Sequence, residues 1–298
     1  MEHIIKVEKI AQYNHLKGVE TQQPLISVFD NSKTKALPNN CRMHFGFYAI
    51  FLKAEKCGEL KYGRNNYDYD DGTMVFIAPG QVIEIKNEED YQPTGLALLF
   101  HPDLIKGTTL GKQMSQYSFF SYDSHEALHL SVKEQQVIKD LFYKLEYELS
   151  QSIDKHSKSI VINTIELLLN YCVRFYDRQF ITRENINTDI LSKFENLLND
   201  YFLSENTQDI GLPSVGYFAD ILNLSPNYFG DLIKKETGKT AQDHIQLKLI
   251  NLAKERIFDT DKSISQIAFE LGFKYPQHFN RMFKKNTGCT PIEYRSLN

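Results

Sequence analysis

Residues 229 to 240 read FGDLIKKETGKT and residues 279 to 290 read FNRMFKKNTGCT, so six of twelve positions recur after a step of fifty residues. A repeat of that length marks one supersecondary unit used twice. Ahead of each string stand apolar residues at the i, i+3, i+4, i+7 spacing of a short amphipathic helix: Val215, Phe218, Ala219 and Leu222, then Ile264, Ile267, Ala268 and Leu271. The alanine in each set lets a second helix cross closely. Four residues beyond it stand Asn223 and Gly272, residue types that accept a positive φ in a tight turn. The second helix then has Phe229, Leu232 and Ile233 to bury in copy one, and Phe279, Met282 and Phe283 in copy two. Gly238 and Gly288 read as left-handed stops. Thr240 with Asp243, and Thr290 with Pro291 and Glu293, read as the N-terminal caps of the next helices. Each copy therefore predicts a helix-turn-helix.

With the buried side assigned, the outer face of the second helix in copy two carries Gln277, His278, Asn280, Arg281, Lys284 and Lys285. These residue types read nucleic acid: Arg bonds guanine bidentately, Gln and Asn do so with adenine, and Lys neutralises phosphates. Copy one offers a poorer set in Asn227, Tyr228, Gly230, Asp231, Lys234 and Lys235. Asp231 repels phosphates and can only accept from a cytosine amine, so copy one is expected to read less sequence. From Thr240 to Phe258 a single helix is expected, with Ile245, Leu249, Leu252 and Ala253 on one side. Its length of roughly 27 Å suits two reading heads in neighbouring major grooves.

Charge fits this division of labour. From Pro213 onward there are 12 Lys plus Arg against 9 Asp plus Glu, whereas the rest of the chain has 22 against 29. The tail is mildly basic and the body acidic, a split that suits a tail meeting phosphates.

The body is of another kind. From Pro24 to His101, PLISVFD, HFGFYAIFLKA, TMVFIA, VIEI and GLALLF are short apolar runs rich in β-branched and aromatic residues, with turn signals at Asn65-Asn66, Asp71-Gly72 and Pro79-Gly80. An antiparallel sandwich or barrel is expected. From Ser131 to Tyr176 the period becomes helical, with Val137, Leu141, Leu145 and Leu149, then Ile160, Ile165, Leu168, Leu169 and Cys172. The polar stretch Ile181 to Asp189 lacks periodicity and reads as a linker. No apolar run is long enough to span a bilayer, no signal-peptide core opens the chain, and the four cysteines show no metal spacing, so a cytoplasmic protein with reduced thiols is expected.

SISQIAFELGFKYPQHFNRMFKKNTGCTPIEYR resembles the second helix-turn-helix of the AraC/XylS family of bacterial transcription regulators, and LPSVGYFADILNLSPNYFGDLIKKETGKT resembles the first. The resemblance covers residues 186–298 and implies two tandem motifs gripping promoter DNA, with Gln277, His278, Asn280 and Arg281 on bases in copy two and Asn227, Gly230 and Asp231 in copy one. It also implies RNA polymerase as a partner, activation as the commoner habit, and a sensing domain, often a cupin-like β-barrel followed by a helical dimerisation pair.

The expected architecture is thus α+β. Residues 1–130 form a cupin-like antiparallel β-barrel that senses a small molecule, residues 131–180 form a two-helix dimerisation element, and residues 186–298 form an all-α domain of two helix-turn-helix motifs joined by a long helix. A ligand pocket would be walled by Phe45, Phe47, Tyr48, Phe76 or Phe100. The competing reading is a cupin-type metal enzyme with an accessory DNA-binding module. Cupin enzymes bring two close histidines and a carboxylate to a metal. Here His44 and His101 are isolated, without an HxH, so no catalytic residue, cofactor or metal is expected. A homodimer is expected through the apolar stripe bearing Leu168 and Leu169.

Overall fold

The structure is a computed structural model, and it describes residues 4–38, 41–53, 72–85, 94–123, 126–182, 184–204 and 206–296. The turn expected at Asn65-Asn66, Asp71 of the following turn, and Cys57 lie outside the described residues. The chain divides into two compact units, Met1–Thr182 and Arg183–Asn298.

Eight described strands build the first unit: β1 (Ile4–Val7), β2 (Ile26–Asp30), β3 (Cys41–Phe45), β4 (Tyr48–Lys53), β5 (Thr73–Ile77), β6 (Val82–Ile85), β7 (Leu96–Phe100) and β8 (Leu128–His129). They form two sheets, ordered β1-β3-β6 and β2-β7-β4-β5-β8. Among the described residues these sheets do not close into a barrel. β1, from the N-terminal stretch outside the expected strand zone, joins β3 in parallel, while every other described pairing is antiparallel. The Pro79-Gly80 turn lies between β5 and β6 as expected, with Gly80 at φ 88°.

Cross-strand pairs show how the five-stranded sheet distributes its side chains. Phe29 faces Ala97, and Leu99 faces Ala49, which faces Ile77. These five pack with Met43 and Phe45 of β3, Val7 of β1, Phe47, and Ile10 and Tyr13 of helix α1 (Ile10–Lys17). The opposite face carries Leu98, Ile50, Phe76 and Met74. Here short helices α2 (Pro102–Ile105) and α3 (Thr109–Gln113) precede a turn bearing Phe119 and Phe120, and the long pair α4 (Val132–Ser150) and α5 (Ser157–Thr182) follows. Phe119 lies 4.5 Å from Phe76 between ring centroids, Tyr176 lies 6.2 Å from it, and the Cys172 and Met74 sulfurs are 3.9 Å apart. Consequently β7 is buried along its whole length on both faces.

That second face explains a correction. Leu168 and Leu169 are fully buried, on the side of α5 that also carries Cys172 and Tyr176. They belong to the interior of this unit and do not form an external stripe; burying each contributes about 2 kcal/mol. Arg178 holds the arrangement in register. Its guanidinium donates to both Glu134 carboxylate oxygens, at 2.8 and 3.0 Å, and to the His129 carbonyl at 2.6 Å. Glu134 also completes the capping box with Ser131 that starts α4.

In the second unit all described elements are helices: α6 (Glu184–Leu203), α7 (Asn206–Asp209), α8 (Val215–Ile221), α9 (Pro226–Thr237), α10 (Ala241–Arg256), α11 (Ile264–Glu270), α12 (Pro276–Thr287) and α13 (Pro291–Ser296). The stretch Ile181 to Asp189, expected as a linker, holds the end of α5 and the start of α6. It lacks an apolar period and is rich in Thr, Asn and Asp, which favour helices weakly, but neither Pro nor Gly is there to break a helix.

Candidate nucleic-acid interface

The two motifs are built from the same local devices. Helices α8 and α11 start on Ser214 and Ser263, whose hydroxyls accept from the N–H groups of Tyr217 and Gln266 at 3.1 and 3.2 Å. Phe218, Ala219, Ile267 and Ala268 are fully buried. The turns follow at Asn223 with φ 55° and Gly272 with φ 91°. Helices α9 and α12 begin with a proline and end at Gly238 and Gly288, with φ 73° and 87°. Between the motifs, α10 starts on a Thr240–Asp243 capping box, and the hydrogen bonds from Thr240 hold the Asp243 carboxyl below its ordinary range. Its 16 residues span roughly 24 Å, a little less than the sequence suggested.

Phe279 and Phe283 are fully buried and Met282 half-buried, so α12 turns its other side outward. Gln277, His278, Asn280, Arg281, Lys284 and Lys285 are all exposed there. On α9, Asn227, Lys234 and Lys235 are exposed, and Gly230 and Asp231 half-exposed. Desolvation lowers the Lys235 ammonium pKa. Tyr228 needs correcting as a reading residue: it is 2% exposed, beside a buried Ser225, because the first turn of α9 packs inward. The first turn of α12 is open instead. Tyr275 just before it is 53% exposed, with its ring edge-on to His278 at 5.6 Å. Tyr275 was missed because a tyrosine at a helix start carries no periodic signal.

Arg295 was legible only as part of a YR pair. Its guanidinium donates to the carbonyls of Ile257, Asp259 and Lys262, joining α13 to the loop that delivers α11.

The residues expected to wall a ligand pocket are not brought together around one cavity. Phe45 and Phe47 sit edge to face at 5.7 Å in the cluster around Tyr13, on one face of the sheet. Tyr48 stacks on Phe100 at 4.9 Å and meets Phe120, which also meets Phe76, on the other face. The space beside Phe76 is about 10 Å³, room for about one water. A wider open depression of about 450 Å³ lies along β1 and α1, lined by Ile5, Val7, Gln12, His15 and Leu16 among others. His44 stands 3.4 Å from the Glu8 carboxylate, and His101 caps α2 beside Asp103 at 3.3 Å. Among the described residues no three His, Cys, Asp or Glu side chains gather as metal ligands, and no helix is long and apolar enough to cross a membrane.

Two helix-turn-helix motifs in one helical unit, with an exposed polar and basic second helix, define the class: a DNA-binding helix-turn-helix domain. Residues 218–296 match the family described as "Helix-turn-helix domain". Over 78 residues the chain is 40% identical to the uncharacterized transcriptional regulatory protein YesN of Bacillus subtilis (strain 168), covering 26% of this chain and 21% of YesN. It is 32% identical over 106 residues to the bifunctional transcriptional activator/DNA repair enzyme AdaA of the same organism, covering 36% of this chain and 49% of AdaA. A more extended similarity, 23% over 255 residues, joins 85% of this chain to 86% of the HTH-type transcriptional activator RhaS of Enterobacter sp. (strain 638). The chain thus spans less than half the length of both Bacillus relatives. The C-terminal unit is an AraC-type helix-turn-helix domain, and the proteins it resembles are transcriptional regulators.

Proposed function

We propose that the protein is a sequence-specific regulator of transcription that binds promoter or operator DNA through residues 186–298 and answers to a small molecule through residues 1–130. One observation carries the reading: six polar or basic side chains of α12, Gln277 to Lys285, share its exposed side opposite the buried Phe279 and Phe283. In this reading Gln277, His278, Asn280 and Arg281 meet base edges, and Lys284 and Lys285 meet phosphates. On α9, Asn227 and Asp231 meet bases, and Lys234 and Lys235 phosphates. RhaS and AdaA are named activators, which favours activation and contact with RNA polymerase as its sign. We assign the protein to the cytoplasm, where such DNA lies.

An effector bound among Tyr48, Phe76 and Phe100 has to part packed rings, so this reading requires a small apolar molecule and a unit that opens for it. We assign the helices of residues 131–180 to a homodimer contact. The exposed Ile160 and Leu167, seven residues apart on α5, take the place of Leu168 and Leu169 in that role. The deciding experiment selects bound sequences from random DNA with the full chain, with and without candidate metabolites. Recovery of one motif, displaced or sharpened by a metabolite, is the expected result; a pool that stays random refutes the reading.

A further inference from the structure

Among the described residues, two paths join the motifs and meet at one atom. The first is α10, whose last residue, Arg256, reaches the Glu270 carbonyl oxygen with its guanidinium at 3.5 Å. The second starts ahead of copy one. Helix α6 packs on that copy, with the fully buried Phe194 ring edge-on to Phe218 of α8 and Phe229 of α9 at 5.2 and 5.1 Å, and with Asn187 donating to the Glu236 carboxylate of α9 at 2.8 Å. The chain then passes into α7, where the buried Thr207 hydroxyl donates to the same Glu270 carbonyl at 3.0 Å. Glu270 is the last residue of α11, so its carbonyl has no partner within that helix and is open to both donors.

A connecting helix by itself sets the distance between two bodies and leaves them free to swing about its ends. A second connection to the same point closes a frame and removes the swing. We infer that Thr207 is a positioning residue: by closing the frame of copy one, α10 and α11, it fixes the angle between α9 and α12, and with it the spacing of the two half-sites that the protein accepts. Thr207 itself touches neither base nor phosphate in this account. The inference rests on the regulator reading above and deepens it.

The test uses the full chain and the DNA sequence it selects. One base pair inserted between the half-sites moves one of them by about 3.4 Å and turns it by roughly 35°, so the wild type has to strain its frame to hold both and should bind at least about tenfold less tightly. Thr207→Val keeps the shape of the side chain and removes the donor. It should leave affinity for the selected site within about twofold and shrink the insertion penalty about fivefold, the contribution of one neutral hydrogen bond that no longer has to be broken. Thr207→Ser, which keeps the hydroxyl, should restore the full penalty. A protein that is merely destabilised would weaken on both sites alike, and their ratio would stay. Hydrogen exchange gives a reading that needs no variant: in the wild type, amides of residues 207–212 and 270–273 should exchange faster on the lengthened site than on the selected one. An insertion penalty unchanged by Thr207→Val, equal exchange on the two sites, or a selected sequence holding only one half-site overturns the inference alone. A wild type that selects no sequence refutes the regulator reading, and this inference with it.

Discussion

Gly272, in the turn of the second motif, lies against Gly211 so closely that a Cβ on Gly272 would stand 2.9 Å from the Gly211 carbonyl carbon and 2.9 Å from the Thr207 carbonyl oxygen. The segment carrying Gly211 is itself held from α6 and to α11: Tyr201 donates to the Gly211 carbonyl at 2.9 Å, and Thr207 to the Glu270 carbonyl at 3.0 Å. The turn of copy two is thus seated on a strap that starts ahead of copy one.

Gly272→Ala should therefore cost more than Gly288→Ala, although both residues have a positive φ. At Gly288 a Cβ meets nothing within 4 Å, so only backbone strain of about 1 kcal/mol is expected. Gly272→Ala adds collision with backbone, and a loss of more than about 3 kcal/mol is expected. Urea unfolding followed by helical circular dichroism measures both; equal losses would show that the strap gives way freely.

Arg281→Ala and the substitutions of Lys284 and Lys285 should differ in kind. Loss of a guanine contact costs about 1 to 3 kcal/mol on the selected site and little on random DNA. Lys284→Ala and Lys285→Ala should weaken both, each flattening the plot of log affinity against log salt by about one unit. Uniform weakening by Arg281→Ala would make it another phosphate clamp and move base reading to Gln277, His278 and Asn280.

Arg295→Lys keeps the charge but loses the planar fork that serves three carbonyls. A loss of about 2 kcal/mol is expected, with Arg295→Ala losing somewhat more. Because those carbonyls lie in the loop before α11, hydrogen exchange should quicken there first. Unchanged exchange in residues 257–262 would count against this account.

Lys17 is 1% exposed, and desolvation lowers its ammonium pKa from 10.5 to about 8. The unfolded chain holds that proton to about 10.5 and the folded chain only to about 8, so the unfolded state binds more protons between the two. Stability should rise with pH in that window, and the cost of burying the charge is fully present below pH 8. Burial pushes the Tyr13 phenol up from 10.0, an opposing effect that begins only near pH 10. Lys17→Met should raise the thermal midpoint at neutral pH and remove the rise between pH 8 and 10. A destabilised Lys17→Met at neutral pH would mean that the ammonium has a stabilising partner.

Leu167 is 47% exposed and Leu168 is 0% exposed, so neighbouring substitutions should part company. Leu168→Glu buries an unpaired charge and should unfold the first unit. Leu167→Glu should leave it folded and turn dimers into monomers in sedimentation at equal concentration. A folded Leu167→Glu that stays dimeric moves the contact elsewhere.

The tandem motifs were determined by the sequence alone, because every signal they need is local. Apolar spacing within one helix, a serine cap, a left-handed Asn223 or Gly272 and a Gly238 or Gly288 stop all act within some 25 residues, and the fifty-residue repeat states them twice. The exposed face of α12 followed from the same periodicity. What tertiary structure decided is which apolar surface meets which. Periodicity makes one side of α5 apolar, but only the five-stranded sheet beneath it makes Leu168 interior and leaves Leu167 outside. Short apolar runs make β4 and β7 strands, but only pairing divides Phe45 and Phe47 from Tyr48 and Phe100 on opposite sides of one sheet. Tyr228 and His278 occupy the same place in the repeat, and only the packing around the first turn of α9 buries one and leaves the other exposed. Burial is a property of contacts between distant parts of the chain, and a local pattern carries the apolar face without its partner.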